Sequence, residues 1–191
     1  MSRHNKIKIM AKKISKSLQP KTSSEPLSNI DIKPYIDFFA LKNNTTTYYD
    51  MDALPPLEKM FDTSNTAMIF QSFPEKNIGH WTLLIEWEPG VQYEYFDSQA
   101  YAYDEPFPEQ INDLFVDFQD RKGVEVDCIV LKDKDAILQQ PNQNNCAKWC
   151  IYRIMTLPTL PYVFYNMLYI IEKVYPLDDL INHTINIETK Q

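Results

Sequence analysis

The apolar positions of this chain change period several times along its length. Thr66-Ala67-Met68-Ile69-Phe70-Gln71 is a short, nearly continuous apolar run, and two more follow at 80–87 and 93–96 with Pro89-Gly90 between them. Runs of β-branched and aromatic residues bounded by turn residues predict strands, and the Pro-Gly step joins the second and third as a hairpin. Over 104–119 the spacing becomes helical, with Ile111, Leu114, Phe115 and Phe118 on one stripe. Residues 124–131 read as a further strand, 146–156 as a second, more buried helix, and 162–174 as a carboxy-terminal helix that finishes the body. Nearer the start, 30–39 is aromatic and reads as a helix or an extended lead-in. Asp50-Met51-Asp52-Ala53-Leu54-Pro55-Pro56 reads as a helix start, since proline is tolerated in a first turn. There is no internal repeat.

Charge divides what the apolar pattern leaves whole. Residues 1–24 carry Arg3, Lys6, Lys8, Lys12, Lys13, Lys16 and Lys21 with no acidic residue, so a net charge of −7 leaves −14 on the rest. A helical spacing of Ile7, Met10, Ile14 and Leu18 is closed by a Ser-, Thr- and Pro-containing linker over 15–26, which divides the chain into a basic, flexible arm (1–26) and a body (27–191). Two readings of the arm stand: a solvated tail, or a segment that holds DNA or an acidic partner by charge, with salt-sensitive binding as its mark. The 191 residues, 44% apolar, suit one globular domain burying roughly 70% of its unfolded surface. With no run of 18 apolar residues and a lysine-rich start, neither a membrane span nor a secretory signal is expected, so the chain is read as soluble and intracellular. Three cysteines without a C-x-x-C pair argue against a disulfide framework and against a zinc site.

The candidate chemistry lies in three pieces: Gly79-His80-Trp81, Tyr95-Phe96-Asp97-Ser98, and Gln139-Gln140-Pro141-Asn142-Gln143-Asn144-Asn145-Cys146. A thiol attacks as thiolate, and an unperturbed one is only partly ionised at neutral pH. An imidazole that takes its proton, held in the useful tautomer by a carboxylate, removes that obstacle. His80 begins one strand and Asp97 ends the next, so the hairpin brings them to one edge of a sheet. Cys146 begins a helix, whose free N–H groups and positive dipole end favour an anion. Gln139, seven residues earlier, adds a side-chain amide donor for an oxyanion. His80 has no rival as base: His4 lies in the arm, and His183 in a polar Asn-His-Thr setting. Competing readings accompany each residue. Cys150 is a small hydrophobe one helical turn beyond Cys146, Trp81 is core or a wall for the imidazole, and Asp97 is alternatively a strand-ending Asp-Ser turn.

In these pieces the chain resembles the adenovirus endopeptidase (adenain) branch of the SUMO-protease-like cysteine peptidases. Gly79-His80-Trp81, Phe96-Asp97 seventeen residues past the histidine, Gln139-x-Pro141-Asn142-x-x-x-Cys146-x-x-x-Cys150, and Cys128-Ile129-x-Leu131 carry the likeness, over roughly residues 30–152. The resemblance implies an α+β fold, a mixed central β-sheet flanked by helices with the nucleophile at a helix N-terminus. It implies His80 as general base, Cys146 as nucleophile, Asp97 as the residue orienting the imidazole, and Gln139 as the oxyanion side chain; the SUMO-protease register selects Gln140 instead. No cofactor is needed for the chemistry, but an activating peptide linked through Cys128, and DNA, are implied as further cofactors. Family members usually have Gly after the nucleophile, where this chain has Ala147.

The expected function is a viral cysteine endopeptidase that cleaves capsid or other virion precursors during maturation, acting as a monomer in the virion and in the host-cell cytoplasm or viral factory. Only three glycines, with many Asn, Lys and Ile residues, suit the AT-rich genome of a large DNA virus, virophage or related element. Two alternatives are a SUMO- or ubiquitin-like deconjugating protease, and an inactive binding or packaging protein on the same scaffold, for which Ala147 is the only sequence support.

Overall fold

The computed structural model describes residues 46–73, 78–99, 107–130, 138 and 145–185. The basic arm, the lead-in at 30–39, and the loop residues Gln139 and Gln140 lie outside the described residues.

Five strands form one sheet in the order β1-β2-β3-β4-β5: β1 (Thr46–Asp50), β2 (Thr66–Phe73), β3 (Ile78–Glu88), β4 (Gln92–Phe96) and β5 (Asp127–Val130). The inner pairs β2/β3 and β3/β4 are antiparallel, and the outer pairs β1/β2 and β4/β5 are parallel. A mixed sheet of this kind needs crossovers only at its edges. One passes through a 3-10 turn (Met51–Ala53) and helix α1 (Leu57–Met60), the other through helix α2 (Glu109–Lys122). Helices α3 (Cys146–Met155), α4 (Pro161–Glu172) and α5 (Leu177–Thr184) complete the chain. The expected α+β class, with a mixed sheet flanked by helices, is observed.

Both sheet faces are covered, which explains why the central strands read as continuous apolar runs rather than alternating ones. Ala67, Ile69, Leu84, Tyr93 and Tyr95 pack under the α2 stripe of Ile111, Leu114, Phe115 and Phe118. Met68, Trp81, Leu83, Ile85 and Phe96 pack against Trp149, Cys150 and Ile154 of α3, Phe164 and Leu168 of α4, and Leu177 and Ile181 of α5. The Pro89-Gly90 turn forms as expected, Gly90 adopting φ 71°, a conformation glycine takes without steric cost.

Several boundaries differ from the pattern-based expectation. The helix start at 50–56 is a single 3-10 turn, in which the Asp50 carboxylate accepts the Asp52 N–H at 3.1 Å. Leu54 is extended (ψ 129°) because a residue preceding proline is driven out of the helical region, and Pro56 (ψ 143°) is extended before the helix resumes at Leu57. Strand β1 and helix α5 are not marked by the pattern at all. The side chains of Thr46, Thr47, Tyr48 and Tyr49 are only half-buried, and α5 buries little beyond Leu177 and Ile181.

A buried ion pair ties the second layer to the sheet. On α3, Arg153 donates to Glu94 on β4 through Nε (2.9 Å) and Nη2 (2.7 Å), and to the Thr159 carbonyl at 2.9 Å. Trp87 Nε1 donates to the same carboxylate at 3.0 Å, and the guanidinium lies 4.7 Å from the Phe164 ring centroid. Among the described residues, no helix is long and apolar enough to cross a membrane.

Candidate active site

β3 and β4 are joined by a tight hairpin, so the start of one lies beside the end of the other. Their ladder stops at Leu83 opposite Phe96. His80 therefore lies past the last paired residue of β4, while β2 still holds its backbone through the Gln71 pairing. Asp97 is the first residue beyond β4. Its Oδ1 accepts the His80 Nε2 proton at 2.7 Å and the Gln99 backbone N–H at 2.9 Å. The second bond is the turn expected of an Asp-Ser step; here it also fixes the carboxylate that faces the ring. The two readings of Asp97 thus describe one arrangement.

The nucleophile candidate arrives from the other direction. Cys150 donates its thiol proton to the Trp81 carbonyl at 3.5 Å, which pins α3 to β3 one turn after Cys146. Cys146 is the first residue of α3, one turn before that anchor. With Nε2 committed to Asp97, Nδ1 is the nitrogen left for the thiol, and it is buried without a hydrogen bond to any described group. Burial disfavours the His80 imidazolium, but the hydrogen bonds and charges of Asp97 and Cys146 outweigh it, raising the ring from its ordinary 6.5 to about 10. A ring so placed is a strong acceptor for a thiol proton.

At the N-terminus of α3, Asn145 occupies the capping position but makes no side-chain cap. Its amide is turned instead toward α5, donating to Asp178 Oδ1 at 3.4 Å. The first-turn amides, not capped by the Asn145 side chain, carry the partial positive charge that an oxyanion site requires. Leu138, which precedes Gln139, donates its N–H to the carbonyl of Ser98, the residue after Asp97, at 2.9 Å.

No family model and no curated protein matches the sequence. Two crystal structures of the ASFV pS273R protease align with it at TM-scores of 0.51 and 0.52, with 14% and 12% identity. They cover 98% and 91% of this chain and 81% and 72% of theirs. The chain shares the fold of that protease. The imidazole and carboxyl expected from sequence stand together at the end of β4, and the expected thiol opens α3. A third structure, ChlaDub1 from Chlamydia trachomatis, aligns at a TM-score of only 0.34 with 12% identity, covering 85% of this chain and 82% of its own.

The remaining expected residues divide. Gln139 and its alternative Gln140 lie outside the described residues. Cys128 lies on β5 beside Tyr93, in the layer covered by α2 and away from the site. Its thiol is pushed up to about 12, first by burial. Trp81 is core: its ring is 4.9 Å from Phe70 and 6.4 Å from Tyr48, centroid to centroid. Among the described residues, no cluster of three or more His, Cys, Asp or Glu is arranged to hold a metal ion. The bonds of Gln99, Leu138 and Asn145 escape sequence reading, because they depend on where loops meet. The Arg153–Glu94 pair left one signal, an arginine flanked by apolar and aromatic residues in a largely apolar helix.

Proposed function

We propose that this chain is a cysteine endopeptidase that cleaves virion precursor proteins during maturation. The observation that carries this reading is the 2.7 Å bond from His80 Nε2 to Asp97, with Cys146 opening the helix that the Cys150–Trp81 bond fastens to the strand of His80. Asp97 fixes the Nε2–H tautomer and stabilises the imidazolium. Nδ1 accepts the Cys146 proton, and the sulfur attacks the scissile carbonyl carbon to form a tetrahedral oxyanion. The Cys146 N–H and the Gln139 amide stabilise that oxyanion, Gln139 being assigned by resemblance and by its place next to the anchored Leu138. His80 then protonates the leaving amine, a thioester forms, and water hydrolyses it with His80 as base.

The substrate class follows from the adenain-like spacing and from likeness along nearly the whole chain to a viral protease. Incubation of the purified chain and its Cys146→Ala variant with candidate virion proteins, and mapping of new termini by mass spectrometry, tests it. Cuts are expected only from the unmodified chain; efficient labelling of Cys146 by a ubiquitin-like vinyl sulfone, without precursor cleavage, would favour the deconjugating protease instead. DNA is proposed as a partner of the basic arm. Deletion of residues 1–24 should abolish salt-sensitive DNA binding, and unchanged binding would remove that role.

A further inference from the structure

Gly79, immediately before His80, is a close-approach glycine. A Cβ at this position would collide with Cζ and Cε2 of Phe70. Phe70 stands opposite Trp81 across the β2/β3 ladder, and its ring is tilted 49° against the indole at a centroid distance of 4.9 Å. One ring therefore spans both neighbours of His80. Strand alternation sends the side chains of residues 79 and 81 to the face opposite that of residue 80, so Phe70 covers the backbone of this segment from behind the imidazole. The reason for support is local. His80 is paired to β2 but lies past the end of β4, and a glycine beside it adds backbone freedom.

We propose that Phe70 is a positioning residue, its ring bracing the Gly79-His80-Trp81 backbone so that the imidazole stays in line between Asp97 and Cys146. The inference rests on the reading of His80 as general base. Phe70 touches no reacting atom; it acts by restricting the strand that carries one. Gly79 and Phe70 form a matched pair, the missing side chain of one making room for the ring of the other. Loss of either should loosen the His80–Asp97 bond, whereas loss of the ring should make an added methyl at 79 tolerable.

The test is a double-mutant cycle in the full chain, read by peptide-cleavage kinetics and by NMR titration of the His80 ring. Phe70→Ala and Gly79→Ala are each expected to lower kcat by ~10- to 100-fold with little change in KM. In both, the ring should titrate closer to its ordinary value. The combined Phe70→Ala/Gly79→Ala variant should recover part of both losses, which independent structural damage would not do. Phe70→Tyr should behave as the unmodified chain, and Phe70→Leu, which keeps apolar bulk but not a flat ring, should fall between; this pair decides the matter if Phe70→Ala fails to fold. An unchanged His80 titration with kcat within ~2-fold in Phe70→Ala or Phe70→Leu overturns the proposal. So does strictly additive damage in the double variant. The NMR arm is independent of turnover: a chain that cleaves nothing would defeat the protease reading while still reporting whether Phe70 holds the ring.

Discussion

His80 and Asp97 lie seventeen positions apart in the chain, yet a 2.7 Å hydrogen bond from Nε2 to Oδ1 joins them. The same oxygen receives the Gln99 amide at 2.9 Å, so the carboxylate that faces the ring is itself held by the backbone. Asp97→Asn keeps the size of the side chain but removes its charge and opens the way to the wrong imidazole tautomer. We expect kcat/KM to fall by roughly 10²- to 10⁴-fold. The alkaline limb of its pH profile should also move to lower pH, because Asp97 is one of the groups holding the imidazolium against burial. An alkaline limb that stays in place would show that Asp97 is not what holds that proton.

The same proton has a stability consequence of definite sign. His80 is raised in the folded chain from an ordinary 6.5 to about 10, so its contribution is fully present below the unfolded value and is lost as pH rises through the folded one. Urea unfolding of the unmodified chain and of His80→Gln should show the larger gap near pH 6, narrowing toward about pH 10. A gap that widens with pH would reverse the assignment.

Three cysteines sit in three environments, and alkylation should separate them. The Cys150 thiol is completely buried, donates to Trp81 and is held well above its usual range, first by burial. Cys128 is pushed up to about 12 for the same first reason. At neutral pH, brief iodoacetamide treatment followed by peptide mapping should modify Cys146 alone, and much more slowly in His80→Ala. By the same argument Cys128 is expected to carry no mixed disulfide with a peptide, since exchange requires a thiolate. Rapid alkylation at Cys128 would instead support it as an attachment point.

The parts legible in the sequence were those in which one local signal sufficed. The Pro89-Gly90 hairpin, the α2 stripe and the apolar runs of β2 to β4 carry their periods in consecutive residues, and the hairpin alone brings His80 near Asp97. Less legible were elements stabilised by distant packing. Strand β1 is anchored by its parallel pairing to β2, with Thr46 and Thr66 joined at 2.7 Å through their hydroxyls, and α5 by contacts such as Lys148 to Asn182 at 2.8 Å. Within the site, residue types and order marked the thiol, ring and carboxylate. The uncapped state of Asn145 and the Phe70 ring over Gly79 required knowledge of which chains meet.

Arg153 and Glu94 connect the two elements whose ends carry the candidate nucleophile and the candidate orienting carboxylate, α3 and β4, and their side chains are 0% and 1% exposed. Desolvating both charges costs much of what their attraction returns, but removing one strands the other. Arg153→Met should therefore destabilise the chain by about 3–5 kcal/mol, leaving the Glu94 carboxylate with only the Trp87 indole as a side-chain donor among the bonds described. Adding Glu94→Gln should recover a large share of that loss, because a neutral amide is far cheaper to bury and its oxygen can still accept from Trp87. Adding Glu94→Leu should recover less, since the indole N–H then loses its acceptor. Chemical denaturation of the unmodified chain and these three variants decides between the rankings. If Arg153→Met alone costs under about 1 kcal/mol, the pair is not what fastens α3 to the sheet, and the placement of Cys146 must rest on apolar packing and the Cys150–Trp81 bond instead.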